Sequence, residues 1–287
     1  MIIYKHSKNL GKTLYVLKNE EGTIGFVPTM GALHAGHIEL VNQSRITCGT
    51  TVVSIFINPT QFNNSEDFKK YPVTLESDIS QLKYNNCDLL FLPSIEEIYP
   101  YVIAVKPNYK LGDIETILEG RYRPGHFQGV CQVVDRLLSI VQPTHLFLGQ
   151  KDYQQCLVLT KLIEILQLNI KIIICPTQRE EDGLAMSSRN LRLDIRQREL
   201  APEIYKSLNY IKSNFRMIEP SVLRQQCVAD LEYKGFRVDY VEIVNLKTLQ
   251  SFSRIPYSGE AVALIAAFID DIRLIDNIIL TDENCTN

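Results

Sequence analysis

Continuous apolar runs separated by helical stretches constrain this chain more than any other feature. Such runs occur at 23–28 (TIGFVP), 51–57 (TVVSIFI), 88–92 (DLLFL), 145–148 (HLFL) and 170–175 (IKIIIC). They do not alternate apolar with polar, so each predicts a strand covered on both faces. Between them, 38–48, 78–84, 128–141 and 153–166 read as helices, the third stopped by Pro143. Strand and helix in alternation imply right-handed crossovers and a parallel, doubly wound sheet. Ligands in such sheets bind beyond the carboxyl ends of the strands. The fold class expected is therefore α/β, Rossmann-like, with a smaller C-terminal α+β domain.

The pattern changes near Pro176. A polar stretch, 177–190, leads into expected helices at 194–213 and 219–234 and strands at 238–244, 261–268 and 272–279, the last two joined as a hairpin across Asp270 and Asp271. This predicts two domains, 1–176 and 177–287. The tail TDENCTN reads as frayed.

Composition narrows the function classes. Of 287 residues, 45% are hydrophobic and 22% charged, the balance of a folded globular chain. A net charge of −3 offers no basic field to a nucleic acid. No apolar run approaches the ~18 residues of a membrane span, and the N-terminus lacks the core of a signal peptide. The seven cysteines are scattered without CxxC spacing, which predicts reduced thiols in a core and a cytoplasmic protein.

Four motifs follow directly on these strands. The first is PTMGALHAGH, Pro28 to His37, where Gly31 lets the chain turn away from the strand. His34 and His37 lie three apart at a helix start, where unpaired N–H groups and the helix dipole already favour phosphate. Gly36 lets a phosphate approach the backbone. A histidine pair can also ligate a metal, but a third ligand is missing nearby. The second is NPTQF, where Asn58 and Gln61 supply neutral donors and acceptors suited to hydroxyl and carboxylate groups. An ordinary polar turn reads the same way. The third is GQKDYQQ, Gly149 to Gln155. Here Gly149 permits close approach, Lys151 brings a charge to phosphate oxygens, Asp152 is placed to cap a helix, and Gln155 faces the pocket. The fourth, within REEDGLAMSSRN, sets Ser187 and Ser188 before Arg189, a donor cluster fitted to a leaving pyrophosphate. A solvated linker is the bland alternative. Asp78 and Gln81 are candidates to touch a magnesium ion brought by a triphosphate, although a surface helix face explains them equally. The loop RYRPGHFQG, Arg121 to Gly129, reads as lining the site, and His6 and His145 as structural.

Taken together, PTMGALHAGH, NPTQF, GHFQGV…VVDRL…IVQP, GQKDYQQ and DGLAMSSRN resemble the pantothenate synthetase family, in order from about Gly25 to Arg192. The resemblance implies ATP, (R)-pantoate and β-alanine as substrates and pantothenate, AMP and pyrophosphate as products. It also implies magnesium, a C-terminal lid and a homodimer. It assigns ATP to Met30, Gly31, Ala32, Leu33, His34, Ala35, Gly36 and His37, to Gly149, Gln150, Lys151 and Asp152, to the backbone around Gln178, and to Met186, Ser187, Ser188 and Arg189. His37 is implied as the catalytic proton donor, with His34 and Lys151 beside it. Gln61 and Gln155 are implied to bind pantoate. Thr60, Val73, Gln150 and Gln178 depart from the family pattern, and none removes a phosphate-binding group. Rival readings are a nucleotidyl transfer to a phosphorylated acceptor, which predicts a basic acceptor pocket, a tRNA synthetase, and a non-catalytic nucleotide-binding module.

Overall fold

The computed structural model describes residues 1–100, 108–252, 254–257 and 259–281. The chain divides into two compact units, Met1–Gln150 with Gln154–Pro176, and Lys151–Tyr153 with the residues from Thr177 onward. The expectation of a frayed tail falls, for 282–287, outside the described residues.

The first unit is a parallel sheet of six strands, β1 (Ile2–Tyr4), β2 (Ile24–Thr29), β3 (Thr50–Ile55), β4 (Leu89–Phe91), β5 (His145–Gly149) and β6 (Lys171–Cys175), in the order β1-β4-β3-β2-β5-β6. Neighbouring residues on one strand feed opposite cores. Phe26, Val52 and Leu146 pack with the helices Ser7–Glu21, His126–Val141 and Tyr153–Ile165, whereas Val27, Val53 and Phe147 pack with the helix Ala35–Thr47. Both faces are covered, which is why the strands read as unbroken apolar runs. Strand β1 and the helix after it were absent from the sequence reading. With Ile2 56% exposed, this three-residue edge strand carries no burial pattern to detect.

The order of strands reverses between β2 and β5, so the crevice beyond their carboxyl ends is the topological switch point. The chain leaving β2 there is 30–37, and the chain leaving β5 begins at Gln150, just after Gly149 ends the strand.

The second unit has an antiparallel sheet, β7 (Arg237–Asn245), β8 (Ala261–Ile269) and β9 (Ile272–Leu280), with β8 central. The β8–β9 hairpin turns at Asp270 and Asp271, with Ile269 opposite Ile272 and Asp270 at a φ of 52°. The helices Glu203–Asn214 and Pro220–Tyr233 contribute Leu208, Ile211, Leu223 and Leu231 to one core with Ile243, Ala263 and Ile265 of the sheet. A single helix at 194–213 is corrected to two, Ile195–Leu200 and Glu203–Asn214, because Pro202 lacks the N–H that would continue the first and instead takes the N-cap position of the second. All six described cysteines are free and buried. Burial pushes the Cys87 and Cys131 thiols up to about 12, which keeps them protonated and inert. Among the described residues no helix is long and apolar enough to cross a membrane.

Candidate active site

The turn after β2 is held by a carboxylate from 46 residues away. Asp78 is 1% exposed, and its Oδ2 accepts from Ala32 N at 2.9 Å. Its Oδ1 accepts from Leu33 N at 2.8 Å and from the Thr74 hydroxyl at 3.0 Å. Gly31 has a φ of 83° and Ala32 one of 49°, both left-handed, so this turn needs an external clamp to stay in place. Asp78 supplies it, aided by Gln81, whose Nε2 donates to Leu33 O at 3.3 Å. Asp78 and Gln81, expected to touch a magnesium ion brought by a triphosphate, are the clamp of this turn. Both carboxylate oxygens already face main-chain amides. Moreover, no group of three His, Cys, Asp or Glu side chains among the described residues is placed to hold an ion. The residues present do not fit a resident metal.

That clamp sets the start of the helix Ala35–Thr47. His34 is its N-cap, and its Nδ1 accepts from Gly36 N at 3.2 Å. His37 reaches back, its Nδ1 accepting from His34 N at 3.4 Å, and the two rings lie 4.0 Å apart between centroids. This is a capping box built from imidazoles. A ring nitrogen that accepts carries no proton, so both neutral rings hold their proton on Nε2. The helix N-terminus thus carries two fixed Nε2–H donors beside its own dipole.

The NPTQF turn lies under the same loop. Asn58 is 1% exposed and has its hydrogen-bonding groups engaged within the protein. Its Nδ2 donates to Gly129 O at 3.1 Å and Gln61 Oε1 at 3.2 Å, and its Oδ1 accepts from the Tyr99 hydroxyl at 3.0 Å and the Thr60 hydroxyl at 3.1 Å. Asn58 therefore holds Gln61 in place, which corrects its expected role as a direct substrate contact. Gln61 is half-buried, with Nε2 3.0 Å from the Met30 sulfur. His126, from the RYRPGHFQG loop, donates through Nδ1 to Gln61 O at 2.8 Å. Gln155 is half-buried at the start of the helix Tyr153–Ile165, while its neighbour Gln154 is spent on the main chain at Glu119, Ile114 and Ile117. A mostly apolar cavity of about 270 Å³ borders Met30, Gly31 and Ala32 but is not lined by Gln61 or Gln155.

Of the remaining expected residues, Gly149 and Gln150 belong to the first unit, and Lys151, Asp152, Gln178 and Met186 to Arg189 belong to the second. Lys151 Nζ is 3.9 Å from Asp152. The 177–190 segment folds back on itself, with Met186 N donating to Gln178 O at 2.9 Å and Arg179 bridged to Ala185. Ser187 then caps a short 3-10 helix, its Oγ accepting from Arg189 N at 3.3 Å, and Ser188 is buried. The structure thus gathers the expected residues into two sets, one per unit. Two residues outside the sequence reading stand out in the second set, the buried Asp276 and Asn277 of β9. A polar pair inside the run RLIDNIIL was the signal for them.

A Rossmann-like sheet with a histidine-capped helix opening at its switch point is the scaffold of a nucleotide-handling α/β protein. The sequence profile of the family described as pantoate-beta-alanine ligase matches residues 2–279, and this chain belongs to that family. Similar curated proteins include the pantothenate synthetase of Cytophaga hutchinsonii, 42% identical over 92% of this chain and 93% of its own length. That of Azobacteroides pseudotrichonymphae is 43% identical over 97% and 99%. The solved pantothenate synthetase of Thermus thermophilus superposes with a TM-score of 0.91 at 38% identity, covering 98% of this chain and all of that one. The Francisella tularensis pantoate-beta-alanine ligase, solved with β,γ-ATP and β-alanine, gives 0.83 at 37% identity, covering 97% of each.

Proposed function

We propose that this enzyme condenses (R)-pantoate with β-alanine at the expense of ATP, giving pantothenate, AMP and diphosphate through pantoyl adenylate. The pantoate carboxylate attacks the α-phosphorus in line, the α–β phosphoanhydride bond breaks and diphosphate leaves. The β-alanine amine then attacks the acyl carbon, AMP leaves and the amine proton is lost. Neither step needs a protein nucleophile. Catalysis is positioning together with neutralisation of charge on the departing oxygens.

The observation that carries this reading is the histidine capping box. Both Nδ1 atoms accept from the main chain, so the Nε2–H side of His34 and of His37 is the one that serves phosphate oxygens. His37 is the proton donor toward the departing diphosphate. Lys151, Ser187, Ser188 and Arg189 neutralise the rest of its charge. The main chain at 30–36, at 149–152, at Gln178 and at Met186 holds the nucleotide. Gln61, seated by Asn58, and Gln155 bind pantoate through neutral amides, which leaves its carboxylate free to react. Magnesium enters with the triphosphate as part of the substrate. The second unit serves as the lid that keeps water from the acyl adenylate. The protein acts in the cytoplasm as a homodimer.

AMP release decides the reading. With ATP present, AMP should form only when pantoate is added, and pantothenate only when β-alanine is added as well. AMP formation without pantoate would defeat the assignment.

A further inference from the structure

Strand β9 carries two adjacent buried polar residues, Asp276 at 4% exposure and Asn277 at 1%. Successive strand residues point to opposite faces, so the pair reaches two different segments. On one face, Asp276 takes the Arg179 guanidinium in a fork, with Nη1 to Oδ2 at 2.6 Å and Nη2 to Oδ1 at 3.1 Å. The same guanidinium donates to Gly183 O at 3.1 Å and Asn277 O at 3.3 Å, and lies 4.0 Å from the centre of the Tyr205 ring. Arg179 therefore ties both ends of the 179–183 turn, just ahead of Met186 to Arg189, to the sheet. On the other face, Asn277 Nδ2 donates to Lys151 O at 2.9 Å. The next residues are held by the same unit, with the Tyr153 hydroxyl donating to Leu246 O at 2.8 Å.

A forked, buried guanidinium–carboxylate pair is an expensive way to gain stability, since apolar residues of the same volume commonly do as well. Its worth lies in fixed geometry. Burial pushes the Asp276 carboxyl up, while the fork of Arg179 and the charge of Lys151 pull against that shift.

We propose that Asp276 and Asn277 are positioning residues for the nucleotide, locking the main chain at Lys151 and the 179–189 segment to one strand so that both present their donors as a single body. This rests on the role given above to Lys151 and the Ser187–Arg189 cluster, and it goes beyond that role by naming what aims them.

The test is steady-state kinetics of the full chain with Asn277→Ala, Lys151→Ala and the double variant. Asn277→Ala should raise KM for ATP about tenfold, the cost of one lost buried hydrogen bond, and leave KM for β-alanine within about twofold. In the Lys151→Ala background its effect should be smaller, because the part transmitted through the Lys151 side chain is already lost and only the part carried by the main chain remains. Equal rises for both substrates, or an additive effect, would overturn the proposal. Should Asn277→Ala lose its cooperative melt, Asn277→Ser, too short to reach the Lys151 carbonyl, is read by the same criteria. A wild-type KM for ATP in Lys151→Ala would instead defeat the role assigned to Lys151. A normal Lys151 defect with a silent Asn277→Ala or Asn277→Ser defeats only the present inference.

Discussion

Gly129 lies so close to Thr60 that a methyl group on it would come within 2.3 Å of the Thr60 carbonyl oxygen and 2.9 Å of the Gln61 Cα. The helix His126–Val141 can therefore seat the NPTQF turn only because it lacks a side chain at that point. In a helix interior, glycine to alanine ordinarily gains up to about 1 kcal/mol. Here the clash is with backbone and cannot be relieved by a rotamer. Gly129→Ala should shift Gln61 and lower kcat/KM for pantoate about 10²-fold, the scale expected for a displacement near 1 Å. Unchanged pantoate kinetics would show that the turn does not set the substrate.

The imidazole capping box separates stability from chemistry. Asparagine is among the best N-caps, so His34→Asn keeps the cap on the helix Ala35–Thr47 while removing the Nε2–H. Its melting temperature should stay within a few degrees of wild type, while kcat falls by ~10²–10³, as for loss of one preorganised donor to a developing charge. Equal losses of stability and rate would make His34 a structural cap alone.

Asp78→Asn tests whether this carboxylate clamps a turn or serves a metal. The amide oxygen can receive one of the two main-chain N–H groups, but its NH₂ faces the other. The cost should be about 1–3 kcal/mol of stability, together with a raised KM for ATP as the 31–33 turn loosens. Raising the magnesium concentration should not restore activity. Restoration by magnesium would return Asp78 to the role of a metal contact.

Acid sensitivity is expected at the N-terminal corner. The Ser7 hydroxyl, joined by the Ser7 N–H at 2.8 Å and the His6 ring, holds the Glu97 carboxyl below its ordinary value of 4.5. A carboxyl whose value is lower folded than unfolded contributes stability that is complete above the ordinary value and lost as pH falls through the folded one. Wild type should therefore lose thermal stability more steeply below about pH 4.5 than Glu97→Gln, and exceed it at neutral pH. Parallel melting curves for the two across that range would exclude the contact.

The sequence reading and the structure part at identifiable residues. The unbroken runs at β2, β3 and β5 were legible because both of their faces are buried, and the hairpin because the turn residues Asp270 and Asp271 interrupt two apolar runs. Strand β1 is not legible, being short and exposed, whereas the break at Pro202 is marked in the sequence by the proline itself. Within the site, His34 and His37 were visible because their spacing is local to one helical turn. Asn58 and Asp78 were visible as residues, but the partners that hold them within the protein were not.

What the sequence determined by itself was the α/β class, the order of the strands along the chain and the motifs that follow them. Apolar periodicity and turn chemistry are properties of neighbours. What only the tertiary structure decided was the employment of each polar side chain. Asp78 meets Ala32 across 46 residues, Asn58 meets Gly129 across 71 and Asn277 meets Lys151 across 126. A buried polar group must find a partner, but its own sequence neighbourhood does not say which one, because that partner is brought near only when the sheets close.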